Sequence, residues 1–195
     1  MFDDTSRKAD HPVAAQFLNR HSPRAFTDQT VTEAQMLSLF EAARWAPSTS
    51  NNQPWRFAYA LRDEPAFTAI FDALVEFNQI WAGKAGALVV VASASTKTNA
   101  EGETTAMPNH QFDTGTAWGY LALQAHLDGL VAHAMGGFDA AKLAQAVALP
   151  EGYVIHAVVA VGYHGEIEAL PDRMHKGEVP NGRKPLSETV SRGGF

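Results

Sequence analysis

Apolar positions along the chain follow two alternating periods, and these predict a chain of mixed elements. Pro12 to Asn19 reads as a short helix, with proline at an early position where a missing N–H costs nothing. Thr32 followed by Gln35 forms a capping box, and Met36, Leu39, Phe40 and Ala43 then fall on one helical face. That helix should stop near Trp45, because Pro47 disfavours helix just before it. Trp55 to Leu61 alternates as a strand, and Pro65 to about Phe77 reads as a helix. Ala87 to Ala92 is wholly apolar and rich in valine, the pattern of a strand buried on both faces. The polar, Thr-rich stretch 94–109 reads as a long loop.

His110 to Asp128 is helical and ends at Gly129, a natural left-handed cap. Trp118, Tyr120, Leu121, Leu123 and Leu127 spread around its circumference, so it is either central or part of a subunit interface. Val131 to Met135 reads as a strand, Asp139 to Ala148 as a helix and Tyr153 to Tyr163 as a strand. From His164 onward the chain is polar, with three prolines, and should wrap over a neighbour. Strands alternating with helices give an α+β or α/β sheet with helices on its faces. A length of 195 residues fits one domain with its own core.

Composition narrows the chemistry. With no cysteine, disulfide scaffolds, thiolate metal sites and Cys nucleophiles are ruled out. A net charge of −6 argues against non-specific nucleic-acid binding but leaves room for a local anion pocket. The longest apolar stretch, Ala85 to Ala92, is 8 residues, against the roughly 20 that a membrane helix needs. The start of the chain lacks the apolar centre of a signal peptide, so a soluble cytoplasmic protein is expected.

Four segments could carry chemistry. Arg20, Ser22 and Arg24 sit at i, i+2 and i+4, so in an extended stretch they point to one side and could grip an anion. The run Ser48, Thr49, Ser50, Asn51, Asn52, Gln53, between Pro47 and Pro54, offers donors and acceptors suited to a heterocycle edge. Met135-Gly136-Gly137-Phe138-Asp139 joins a strand to a helix, and its glycines permit close backbone approach. Arg183-Lys184-Pro185-Leu186 places a basic pair near the end. Read singly, such segments are more often a solvated turn, an ordinary cap or a surface patch than a site. No Gly-x-Ser-x-Gly elbow, Walker A loop or Gly-x-Gly-x-x-Gly fingerprint follows a strand. The eight histidines form no His-x-x-x-His pair, so no metal site is expected. His126 and His133 read as ordinary helix and strand residues.

Together and in this order, the four segments resemble the FMN-dependent nitroreductase family. The likeness rests on Arg20, Ser22, Arg24 and Phe26, then Pro47, Ser48, Thr49, Asn51, Gln53, Pro54 and Trp55, then Gly136 to Asp139, then Arg183 to Leu186. It spans about residues 12–190. The resemblance implies an α/β/α sandwich around a mostly antiparallel sheet, a single domain over 1–195, and a homodimer with two FMN sites in its interface. The tail, about 165–195, would wrap the partner. Cofactor contacts would come from Arg20, His21, Ser22, Arg24, Pro47, Ser48, Thr49, Asn51, Asn78, Met135, Gly136, Gly137 and Arg183. Arg20, Ser22 and Arg183 would hold the phosphate end, and Arg24 would sit beside flavin N1 and O2. Asn78 would reach the pyrimidine edge, and the Gly136 N–H would reach N5. Pro47, Ser48, Thr49 and Asn51 would reach in from the partner. No catalytic side chain is needed, since the flavin carries the hydride.

The implied activity is transfer of two electrons from NADH or NADPH to a nitroaromatic, quinone or related small-molecule acceptor. Two other readings stay open: a member acting on a specialised native substrate, and a flavin-binding dimer without turnover. Two departures bear on the substrate. Trp81 stands near where some members carry a lysine, and the 94–109 stretch lies where the family usually shapes the substrate mouth.

Overall fold

The computed structural model describes residues 7–194. Its elements are α1 (Ala15–Asn19), α2 (Glu33–Arg44), β1 (Trp55–Leu61), α3 (Pro65–Phe71), α4 (Glu76–Ala82), β2 (Ala87–Ala94), β3 (Thr96–Thr98), β4 (Thr104–Ala106), α5 (His110–Leu127), β5 (Val131–Met135), α6 (Ala140–Ala146), β6 (Tyr153–Gly162) and α7 (Asp172–His175). Four strands form an antiparallel sheet in the order β1-β2-β6-β5.

Alternation along the central strands builds a core on each face. Leu88, Val90, Val158 and Ala160 point to one side, where they meet Phe67 and Ile70 of α3, Trp81 of α4 and Leu143 of α6. Val89, Val91, Val159 and Val161 point to the other, against Met36 and Leu39 of α2 and Leu121 and Ala125 of α5. All eight residues of β2 are buried, as its apolar run predicts. The result is an α/β/α sandwich, built around an antiparallel sheet as expected.

The local signals at helix ends hold. Thr32 N donates to Gln35 Oε1 at 3.0 Å and Gln35 N to Thr32 Oγ1 at 3.2 Å, closing the capping box. Gly129 takes φ +74° after α5, and Leu130 N returns to Ala125 O at 2.8 Å.

Three segments differ from expectation. The first helix begins at Ala15 rather than Pro12. The helix expected over 65–77 breaks into α3 and α4. Between them Leu74 bridges Phe138, Val75 N donates to Gly137 O at 3.1 Å, and Asp139 N donates to Ala73 O at 2.8 Å. Backbone pairing with the Gly136-Gly137 segment overrides local helix propensity there. The expected 94–109 loop contains the β3–β4 hairpin, whose threonines favour extended backbone.

The tail also departs in part. Leu170 and Met174 belong to the core of their own chain, and Glu178 is buried. From Asn181 onward the described side chains are exposed.

Candidate functional site

Arg20 and Arg183 lie 163 positions apart in the sequence, yet the fold brings their charges together, and Arg7 joins them. Burial lowers the pKa of Arg20, and the positive charges of Arg7 and Arg183 lower it further. Arg7 holds the cluster by its backbone contacts. Its Nη1 donates to Leu18 O at 2.7 Å and Arg20 O at 2.8 Å, and its Nε donates to Asn181 O at 2.9 Å. It thereby ties the segment carrying Arg20 to the one carrying Arg183. Arg20 Nη1 donates to Ser22 Oγ at 3.1 Å. Arg183 bonds to its own turn, donating to Asn181 Oδ1 at 3.2 Å and Gly182 O at 2.9 Å. Three gathered guanidiniums gain most from an anion with several acceptor oxygens, such as a phosphate.

Beside this cluster lies a cavity of about 580 Å³. Arg20 and Ser22 line one end. Trp118, Gly119, Ala122 and Leu123 of α5 form a flat apolar wall, and His133 and Ala134 of β5 close it. A second cavity, about 420 Å³, lies against Arg7, Lys8, Arg183 and Lys184. A polar end followed by a half-apolar slot suits a phosphorylated aromatic ligand.

Gly136 and Gly137, after β5, differ in kind. A Cβ on Gly136 would point into open space. A Cβ on Gly137 would meet Val75 Cγ2 at 2.8 Å and Asn78 Nδ2 at 2.9 Å. Asn78 is buried and spends its amide on Gly137 O, at 2.9 Å. This bond ties Asn78 to the glycine segment. Met135 is buried in β5 opposite Val158.

The amide-rich turn folds onto the start of α5. Thr49 N donates to the buried Asp113 carboxylate at 3.0 Å, and Asn109 Nδ2 donates to Thr49 Oγ1 at 3.0 Å. Ser48 Oγ accepts from Gln53 N at 3.0 Å. Ser50, Asn51 and Gln53 all take left-handed φ, at 51°, 52° and 48°. Such values cost a non-glycine residue free energy and persist only where the surroundings hold them. Pro47, Thr49 and Asn51 are exposed. Asp113 and the cavity-lining Ala122 are nine residues apart on α5, about 14 Å at helical rise. Turn and arginine cluster thus occupy different stretches of one helix.

Arg24 is held by its own chain. Its Nη1 donates to Gly177 O at 3.2 Å and pairs with Glu178 Oε1 at 3.3 Å. Glu178 Oε2 also accepts from Arg24 N at 2.7 Å and Ala25 N at 3.1 Å. The charge expected at a ligand edge is already matched by a buried carboxylate. Trp81, in the position where a lysine would add charge, is buried and lies 4.8 Å from the His133 ring. Burial, then the nearby Arg24, lowers the pKa of His133. His21 packs edge-on to His164 at 5.4 Å, and burial lowers its pKa.

Sequence reading missed Arg7, Asp113 and Glu178. Each is a lone charge with no periodic partner, and only tertiary contact gives it a role. The one available signal was Asp113, a carboxylate in the first turn of a helix with no other Asp, Glu, Lys or Arg.

Comparison with known proteins shows the family. The model of the Nitroreductase family matches residues 18–79 and 62–163. The chain belongs to the nitroreductase family. A solved structure described as an oxidoreductase containing FMN shares 39% identity, covering 100% of this chain and 98% of that one, with a TM-score of 0.95. A provisionally named nitroreductase from Desulfovibrio desulfuricans, solved in complex with FMN, shares 25% identity over 96% of this chain and 99% of its own, with a TM-score of 0.73. An Archaeoglobus fulgidus protein with the provisional name NADH dehydrogenase/NAD(P)H nitroreductase is 25% identical over 80% of this chain and 92% of its own.

Proposed function

We propose that the protein is an FMN-dependent oxidoreductase that takes electrons from NADH or NADPH and passes them to a nitroaromatic, quinone or related small-molecule acceptor. The observation that carries the reading is the gathering of Arg7 and Arg183 around Arg20, which itself lines one end of a half-apolar cavity. The residues fit the cofactor at its phosphate end. Arg20, Ser22 and Arg183 hold the phosphate, and His21 and the α5 wall border the chain that follows. Gly136, with open space where a Cβ would stand, gives the ring close access to backbone, and Met135 and Gly137 fix that segment. Bound FMN supplies the hydride chemistry. Arg24 is proposed to lie beside the flavin N1 and O2 edge. Because Glu178 offsets its charge, Arg24→Gln should lower the midpoint potential less than loss of an unpaired arginine would.

The site is completed by a second copy. Phe112, Tyr120 and Leu127 are exposed on α5, and with Thr116, Gly119 and Leu123 they form one stripe, opposite the buried stripe of Asp113, Ala117, Leu121 and Ala125. The cavity shares Gly119 and Leu123 with this stripe. A homodimer joined there, with residues 181–194 laid over the partner, brings Pro47, Ser48, Thr49 and Asn51 of one protomer to the cofactor of the other.

The test is direct. Purified protein should be yellow, release FMN on denaturation, and oxidise NADH or NADPH in the presence of a quinone. FAD, or no flavin after loading with excess FMN, refutes the reading. Bound FMN with neither nucleotide oxidised favours the binding module instead.

A further inference from the structure

Away from the arginine cluster, three side chains converge on one point behind the amide-rich turn. Ser93 Oγ lies 2.6 Å from His110 Nδ1 and 2.6 Å from His156 Nε2, and Ser93 is fully buried. Ser93 lies near the end of β2, His110 opens α5, and His156 is on β6.

A backbone irregularity places the third member. Val91 pairs with Ala157 but Ala92 pairs with Ile155, so His156 is an extra residue in β6, a β-bulge. Alternation back from Val159 and Val161 would put Ile155 on the α5 face. Instead Ile155 packs with the opposite core, and His156 takes the α5 side beside Ser93. Bulges re-aim side chains in this way, often next to active sites.

The chemistry of the array is restricted. One hydroxyl has one proton to give and two lone pairs to accept with. With both imidazoles neutral, two arrangements satisfy every group. Either His110 donates to Ser93 and Ser93 to His156, or both bonds run the other way. Protonating both rings would aim two N–H groups at one oxygen and leave its own proton without a partner there. Burial and then His110 lower the pKa of His156, which favours its neutral form.

We infer that His110, Ser93 and His156 form a proton relay serving the acceptor that the flavin reduces. This rests on the function proposed above. His110 follows Asn109, whose amide holds Thr49, and precedes Asp113, which holds the same residue from below. The array therefore stands directly behind the turn that faces the cofactor in that reading. A quinone becomes a hydroquinone with two electrons and two protons. A hydride brings both electrons and one proton, so an acid must bring the other. His110 Nε2–H breaks as the product O–H forms. The Ser93 hydroxyl proton moves to His110 Nδ1, His156 Nε2–H replaces it on Ser93, and water returns a proton to His156 Nδ1. Each group ends with as many protons as it began with, and buffer neutralises the hydroxide left by the water. The array then stands in the other of its two arrangements and resets by the reverse transfers, His110 Nε2 taking a proton from water and His156 Nδ1 giving one up.

The test uses flavin-loaded wild type, Ser93→Ala and His156→Gln. The glutamine amide in His156→Gln can keep a hydrogen bond to Ser93 but cannot pass a proton through itself, which guards against a folding artefact. With a benzoquinone as acceptor both variants should fall at least tenfold, since a positioned acid contributes about a hundredfold or more. With ferricyanide, which takes electrons without protons, their rates should match wild type. A second readout needs no turnover. In ¹⁵N spectra of the wild-type imidazoles, His110 Nδ1 and His156 Nε2 should show averaged shifts from a shared proton, and Ser93→Ala should resolve them into fixed tautomers. Equal losses with both acceptors, or no loss with either, overturns the relay, as do fixed tautomers in wild type. Absence of FMN from the wild type would instead refute the function on which the relay rests, and is read from the spectrum alone.

Discussion

Arg24→Gln should destabilise the protein far more than a surface arginine substitution does. Glu178 is deeply buried, its side chain 4% exposed, while that of Arg24 is 23% exposed. Three donors converge on that carboxylate: Arg24 N, Ala25 N and Arg24 Nη1. Removing one member of a buried pair leaves an uncompensated charge and costs about 3–5 kcal/mol. Two backbone donors remain on Oε2, which argues for the lower end, about 3 kcal/mol. At about 2–4 °C per kcal/mol for a chain of this size, that is a fall in Tm of roughly 6–12 °C. Adding Glu178→Gln to Arg24→Gln should recover part of the loss, because the neutral amide can still accept from both backbone N–H groups. The assay is urea and thermal unfolding of the two single variants and the double, followed by circular dichroism. The coupling should exceed about 1 kcal/mol, within the usual range for residues in contact. The His133 titration should also move up in Arg24→Gln, since the nearby charge that helps to lower it is gone. Additive losses, or an Arg24→Gln variant within about 1 kcal/mol of wild type, would refute the claim that this pair is buried and coupled.

Three further outcomes follow from the same geometry. Gly137→Ala should cost about 1–3 kcal/mol, since its Cβ would lie 2.8 Å from Val75 Cγ2, whereas Gly136→Ala, which points into open space, should leave unfolding unchanged and weaken FMN binding; equal stability losses would contradict the assignment. The folded-state pKa values of His133, His21 and His164 are lowered mainly by burial, so the unfolded chain binds more protons as pH falls through about 6.5. Their stabilising effect is complete above that value and is lost below it, and Tm should drop between about pH 7.5 and 5.5, less so in His133→Gln. Phe112→Glu with Tyr120→Glu should convert a dimer to a monomer in light scattering at micromolar concentration, and a wild-type monomer that holds FMN would refute the shared site.

Much of this was legible in the chain because local and long-range signals agreed. Thr32 and Gln35 marked a helix start, Gly129 marked an end, and the valines of β2 could only be a strand covered on both sides. The split between α3 and α4 was not legible, because it depends on backbone bonds to Gly137 and Asp139, distant in sequence. The hairpin inside 94–109 was hidden by polar side chains that carry no alternation. At the site, Arg20 and Arg183 were found as motifs, and their meeting came from tertiary structure. Arg7 and Glu178 left no trace, since a single charge acquires meaning only through what it touches. The same holds for Ser93, His110 and His156, which come from three elements and meet through a one-residue bulge.

The central claim is that Arg20, Ser22 and Arg183, gathered by Arg7, recognise the phosphate of FMN. Titrating apo-protein with FMN and with riboflavin, in wild type and in Arg20→Gln, tests it most directly. Wild type should bind FMN much more tightly than riboflavin. Arg20→Gln should lose roughly tenfold or more in FMN affinity, the equivalent of one charge-assisted hydrogen bond, with riboflavin binding unchanged. Equal affinity of wild type for the two flavins, or an equal loss of both in Arg20→Gln, would contradict it.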